Sequence, residues 1–312
     1  MVVLALATLL PLGYLLVNSF NLAPPTQARF VFGLDNWSTA YADADTVRSI
    51  WTTVWLAAAR TAIALPVAIL FSWLIARTNM PGGAIVEFGM WVAYSLPVLS
   101  LIMGWILLLD PKTGLVNLLL AGLPFGRGFA LDIYSYWGII WLHLVTRSIP
   151  ILVILMVPAF RRVGARLDEI SRMCGASKLT TLARVTAPVI APAIVPLAVL
   201  SLIAGLQSLD VELIIGIPAG IFVYGTRIYN LLGAAKPQYG AATALGAAVL
   251  LILLGLALLS SRFLRNREYT TVSSDFSTAK VDLGPTRWLW SALCMAFLFV
   301  GIVVPTVATI LG

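Results

Sequence analysis

Charge is scarce in this chain. Of its 312 residues only 11% are Asp, Glu, Lys or Arg, while 60% are hydrophobic and the mean hydropathy is +0.97. Soluble domains carry about 25% charged residues, so a water-soluble globular enzyme is excluded, and the apolar content excludes a disordered chain. Cysteine and histidine are rarer still, at two and one. That is too few for a disulfide framework or for a zinc site of the usual kind, and no metal ligand is assigned. No G-x-x-x-x-G-K-[ST] phosphate loop occurs, and no nucleophile–base pair presents itself. Neither nucleotide chemistry nor membrane-embedded catalysis is expected, so the chain is read as a non-enzyme with no catalytic residue and no cofactor of its own.

Long apolar runs are what the chain has. A membrane-crossing helix needs about 20 apolar residues, and that length picks out seven runs: 2–20, 49–76, 85–109, 136–157, 187–206, 241–264 and 288–311. Trp51, Trp105, Tyr136 and Trp288 fall near run ends, where an interfacial aromatic belt would place them. The alternation of a β-barrel is missing. An all-α polytopic membrane protein is expected.

The sign of the remaining charge sets the orientation. Arg161, Arg162, Arg166, Arg172, Lys178 and Arg184 crowd one connection, and Arg262, Arg265, Arg267, Lys280 and Arg287 another. The alternate connections balance Lys and Arg against Asp and Glu. Basic loops on every second connection put those loops, and the N-terminus, in the cytoplasm. The net charge of +7 is thereby explained by lipid-facing topology, without nucleic acid. The run 2–20 lacks the basic leader and small-residue cleavage site of a signal peptide, so it is read as a retained helix.

The most informative stretch is the basic connection between the fourth and fifth runs. Leu167, Ile170 and Cys174 recur at three and four residues, as on one face of a short amphipathic helix. Gly175 suits the residue that closes such a helix in a left-handed conformation, and Ser177 suits the cap of the next. A lone interfacial anchor would account for that much. The spacing is more specific. It resembles the cytoplasmic loop of the permease subunits of binding-protein-dependent ABC importers of type I, whose motif is Glu-Ala-Ala, three residues, Gly, nine residues, Ile, one residue, Leu-Pro. Glu169, Gly175, Val185 and Pro188 fall in register, with Ile170 and Ser171 in place of the two alanines and Ala187 in place of Leu.

The resemblance implies a six-helix permease core in a bacterial plasma (inner) membrane. It implies a coupling loop over 159–186, built on Asp168, Glu169, Ile170, Ser171, Gly175, Ala176, Ser177, Val185 and Pro188. It also implies three partners: cytoplasmic ATPase subunits that bind the ATP, an extracellular or periplasmic substrate-binding protein, and a second permease half or second copy. The segment 265–287 resembles the linker between two fused halves. Residues 1–264 then form one permease domain, and 288–312 opens another with a seventh helix that has no partners of its own. A stand-alone seven-helix permease is the alternative.

Five ionisable groups are candidates for the pathway. Arg60, His143 and Arg147 fall inside runs, which is rare outside bundle interiors and water-filled cavities. His143 and Arg147, four residues apart, share a helix face and on the pathway would favour an anionic or metal–anion substrate, but pairing with neighbouring polar groups to hold helices together is the preferred reading. Asp210 and Glu212 lie in the broken outer segment 207–240. Glu87, near the inner end of its run, is expected to reach the headgroups instead. The stretch from Asp210 to Tyr224 resembles fused permeases of the ferric-iron type, so ferric iron is the expected cargo. Other small solutes such as thiamine, polyamine, phosphonate or sulfate are the alternatives, and an ion-coupled secondary transporter is a more distant one.

Overall fold

Backbone polar groups have no water to bond with in hydrocarbon, so apolar runs of this length become helices that satisfy themselves. The computed structural model describes residues 2–23, 27, 29–123, 130–162, 170–171, 173–181, 184, 187–265 and 280–311. These are helical throughout, apart from turns, loops and two isolated bridges that join Asn21 to Phe32 and Thr78 to Val281.

Length and composition qualify four described helices as membrane crossings: Ala44–Arg77, Tyr136–Arg161, Tyr239–Leu258 and Gly284–Leu311. A fifth candidate is a bent pair, so four or five of the seven expected crossings meet this test among the described residues. Among the described residues, Leu9–Asn18 and Ile190–Leu206 are shorter apolar helices.

The run 85–109 is not the single rod expected. It forms two limbs, Gly83–Ser95 and Val98–Leu109, the inner and the outer one on the orientation expected from the charges, which meet at 97°. Pro97 is the cause: it has no N–H to continue the ladder, and it drives the preceding residue out of helical geometry. Leu96 accordingly sits at ψ 144°. The two ends of the pair meet opposite ends of Tyr136–Arg161. Glu87 binds Arg161, while the Ile133 N–H donates to Leu109 O at 3.4 Å. Just past the outer limb, Asp110 accepts from the Lys112 and Thr113 N–H groups, and those bonds hold its carboxyl below the ordinary carboxylate range.

Two compact units divide the chain. One comprises Met1–Trp55 with Leu206–Leu264, the other Leu56–Gly205 with Arg265–Gly312.

In the first unit Ala40, Tyr224, Leu231, Ala241, Ala242, Ala244 and Leu245 form an apolar core, with Trp37, Tyr41 and Ile50 packed on it. Tyr224 anchors it: its hydroxyl donates to Leu245 O at 2.9 Å and meets the Tyr41 hydroxyl at 3.1 Å, and its N–H donates to Thr53 Oγ1 at 2.8 Å. Arg227 pairs with Asp43 beside this core.

In the second unit the seventh helix, Gly284–Leu311, packs along both limbs of the bent pair. This corrects the expectation that it would lack partners. Glycine permits the approach: a Cβ on Gly104 would strike the carbonyl of Pro305, and one on Gly89 would strike the Leu298 side chain. The Thr309 hydroxyl donates to Ser100 O at 2.9 Å. At the inner end the turn after Arg77 grips the chain ahead of this helix. Val281 N–H donates to Arg77 O, Asn79 Nδ2 to Asp282 Oδ1 at 2.6 Å, and Leu283 N–H to Asn79 Oδ1 at 3.0 Å.

Candidate functional site: the inner loop and the buried charges

The loop between the fourth and fifth runs is described from Ile170, so Asp168, Glu169 and Val185 lie outside the described residues. What is described is a tight reversal between two helical arms. Cys174 N–H donates to Ile170 O, and Ala176 N–H reaches back to Ser171 O at 3.1 Å. Between them Gly175 has φ +83°. A left-handed residue followed by a bond from the next N–H to the carbonyl five back is the Schellman way of closing a helix. A side chain at Gly175 would be strained by that φ, although nothing lies within 4 Å of its Cβ position.

The second arm starts at Ser177, whose Oγ accepts from Thr180 N–H at 3.2 Å and so caps the short helix Lys178–Thr181. The two arms are tied by the hydroxyls of Ser171 and Thr181, 3.0 Å apart, with Thr181 buried. The sequence reading passed over Thr181. Its signal was present, as a hydroxyl residue one helical turn beyond a capping serine.

The outward surface of this reversal is apolar. Met173 is 88% exposed, Ile170 57%, and Cys174 is exposed too. Ile170 and Met173 are three residues apart and share a face. Pro188 is exposed near the start of Ala187–Leu206, where its missing N–H costs nothing.

At the base of the loop, Arg161 meets Glu87 through both oxygens, with Nη1–Oε1 at 3.1 Å and Nη2–Oε2 at 2.5 Å. Glu87 thus binds a guanidinium on a neighbouring helix rather than reaching the headgroups, a contact that a separation of 74 positions hid from sequence reading.

The candidate pathway residues fall in both units. In the second, Arg60 is buried and its guanidinium donates to Gly205 O, in the last turn of Ala187–Leu206, where carbonyls lack partners of their own and attract a cation. One residue on, the Thr61 hydroxyl lies 3.2 Å from that of Ser201. His143 is buried at the end of Tyr136–His143, and Arg147 is exposed in the π turn Leu144–Ser148 that follows. In the first unit, Glu212 is buried in the π turn Glu212–Gly216 and accepts from the Ser208 hydroxyl at 2.5 Å, while Asp210 is exposed. Among the described residues no three His, Cys, Asp or Glu side chains gather as a metal site would require.

The family model described as "Binding-protein-dependent transport system inner membrane component" matches residues 64–268. The sulfate transport system permease protein CysW of Escherichia coli K12 is 28% identical over 197 residues, covering 60% of this chain and 59% of the relative. A probable ABC transporter permease of Sinorhizobium fredii is 25% identical over 244 residues, covering 77% of this chain and 41% of the relative. The chain therefore spans less than two thirds of either relative. A crystal structure of a bacterial ABC transporter involved in the import of the acidic polysaccharide alginate superposes with a TM-score of 0.68. It is 21% identical and covers 85% of this chain and 92% of that chain, a likeness of fold.

Proposed function

Because the chain belongs to the family of inner membrane components of binding-protein-dependent transport systems, we propose that it forms part of a solute pathway through the bacterial inner membrane. A separate ATPase drives it from the cytoplasmic side, and a binding protein delivers solute from the other. The observation that carries this reading is the inner reversal. It presents Ile170 and Met173 on a turn made stiff by Gly175 and the Ser171–Thr181 contact, and a cleft of a partner subunit would receive it. The absence of a phosphate loop from the sequence requires that ATP be bound by that partner.

The pathway has two halves, and residues 1–264 supply one. The helix Gly284–Leu311 opens the other, joined through the linker 265–287. Two facts support this. The chain ahead of Gly284 is held by backbone bonds to Arg77 and Asn79, as a defined connector would be. And 244 residues make up only 41% of the Sinorhizobium relative, which leaves room in that protein for a second matched length.

For the cargo, the buried Arg60 and the in-span His143 and Arg147 support a small anion. Sulfate, trehalose and alginate are the solutes in the names of similar proteins, so the names do not select an anion, and the ferric-iron expectation gains nothing from them.

The test is transport in proteoliposomes with the ATPase, the binding protein and the second half, fused or separate. Uptake is expected only with ATP. The substitutions Ile170→Glu and Met173→Glu should leave insertion unchanged and lower co-purified ATPase at least tenfold. Uptake on an ion gradient without the ATPase overturns the reading. Robust ATP-driven uptake by the 312-residue chain without a second half replaces the fused arrangement with a pair of copies.

A further inference from the structure

We infer that the Glu87–Arg161 pair is the strut that carries movement of the inner loop into the bent helix pair, which makes both residues positioning residues for transport. The inference rests on the functional reading above. Arg161 is the penultimate residue of Ile149–Arg162, at the start of the loop. Glu87 lies in the second turn of the inner limb Gly83–Ser95. Each carboxylate oxygen meets its own guanidinium nitrogen. A fork-to-fork contact of this kind fixes relative rotation as well as distance, which a single bond does not.

The two helices also pack directly. Val86 and Met90 are buried on the inner limb, and Met156, Val157 and Phe160 on the partner helix. A displacement of the loop that turns Arg161 therefore turns the inner limb with it. The motion does not stop there, because the inner limb is in contact with the seventh helix. Ser291 Oγ donates to Pro81 O at 2.8 Å, and Gly82 and Gly89 face Met295 and Leu298 without room for a Cβ. Beyond the 97° break, the outer limb meets the same helix through Gly104 and Ser100. One ion pair thus sits between the loop and a train of close backbone contacts.

Arg161 is 52% exposed at its side chain and Glu87 23%, so the pair lies at the edge of the apolar contact between the two helices. Their removal leaves apolar packing intact.

The experiment uses the full complex in proteoliposomes and reads ATP hydrolysis and solute uptake together. Glu87→Gln and Arg161→Gln should each retain the unmutated level of co-purified ATPase and of hydrolysis stimulated by binding protein, while solute moved per ATP falls at least fivefold. The double exchange Glu87→Arg with Arg161→Glu should recover most of that ratio, a rescue that a simple loss of packing would not give. An unchanged ratio in the single variants overturns the assignment. So does loss of insertion or of ATPase binding, which would make the pair a structural tie, and so does a double exchange no better than the singles. If the unmutated complex shows no ATP-driven uptake, the functional reading falls first and the strut with it.

Discussion

The helices Val2–Asn18 and Gly284–Leu311 are built from similar apolar runs, each with one internal proline, Pro11 and Pro305. Their surroundings differ. Leu6, Leu9, Leu10, Tyr14 and Val17 of the first are exposed, and a Cβ on its Gly13 would touch nothing. On the other, Cys294, Leu298, Gly301, Ile302, Pro305 and Ala308 are buried. The cause lies outside both helices. Gly82, Gly89 and Gly104 sit in and before the bent pair, and their missing side chains make the groove that the second helix fills. Hydropathy marks a run as apolar; small residues on a distant partner decide whether protein or lipid covers it.

Glycine-to-alanine replacement should break the comparison most sharply, because the two helices' signs oppose. Gly104→Ala drives a methyl group into the Pro305 carbonyl and should cost about 1–3 kcal/mol as overpacking of a tight contact. Gly13→Ala meets open space and should stabilise by about 0.5 kcal/mol, the ordinary gain of alanine over glycine within a helix. Thermal unfolding in detergent distinguishes them; equal shifts would refute the packing contrast. Next in size is Asn79→Ala, which removes the bonds to Asp282 and Leu283 that hold the chain ahead of the packed helix. A loss of about 1 kcal/mol is expected, read as faster proteolysis between 265 and 280. The smallest effect belongs to Thr309→Val, which deletes one hydroxyl donor to Ser100 at constant shape and should cost about 0.5 kcal/mol. A loss as large as that of Gly104→Ala would shift the weight of the contact from close approach to hydrogen bonding.

Much of this architecture was legible in the sequence because hydrocarbon imposes a length on helices. The long helices ending at Arg77, Arg162, Arg265 and Leu311 follow their apolar runs closely. The inner reversal was legible too: Gly175 and Ser177 are residue types whose conformations differ from those of their neighbours, and they mark the turn by identity. Three features were not legible in this way. The break at Leu96–Pro97 had its signal in Pro97, but apolar content outweighed it, since Pro66 sits inside Ala44–Arg77 without ending it. The partner of Glu87 depended on how two helices lie together, and a charge near a membrane surface has many possible partners. The tie between Thr78–Asn79 and Val281–Asp282 joins residues about 200 positions apart with no pattern in common.

Two of the π turns, Leu144–Ser148 and Phe299–Val303, face one another, with Val145 3.2 Å from the Cβ position of Gly301. A π turn holds one residue more than an α-helical turn can take, and each residue of an α-helix subtends about 100°. Shortening Leu144–Ser148 by a single residue would therefore leave a continuous helix but swivel everything after it. Ile149–Arg162 would turn by roughly a quarter of a circle and slide about 1.5 Å, and Arg161 would point away from Glu87. Residue number here acts as an angular setting, and length changes at these two turns are tolerable in evolution only where their rotations compensate.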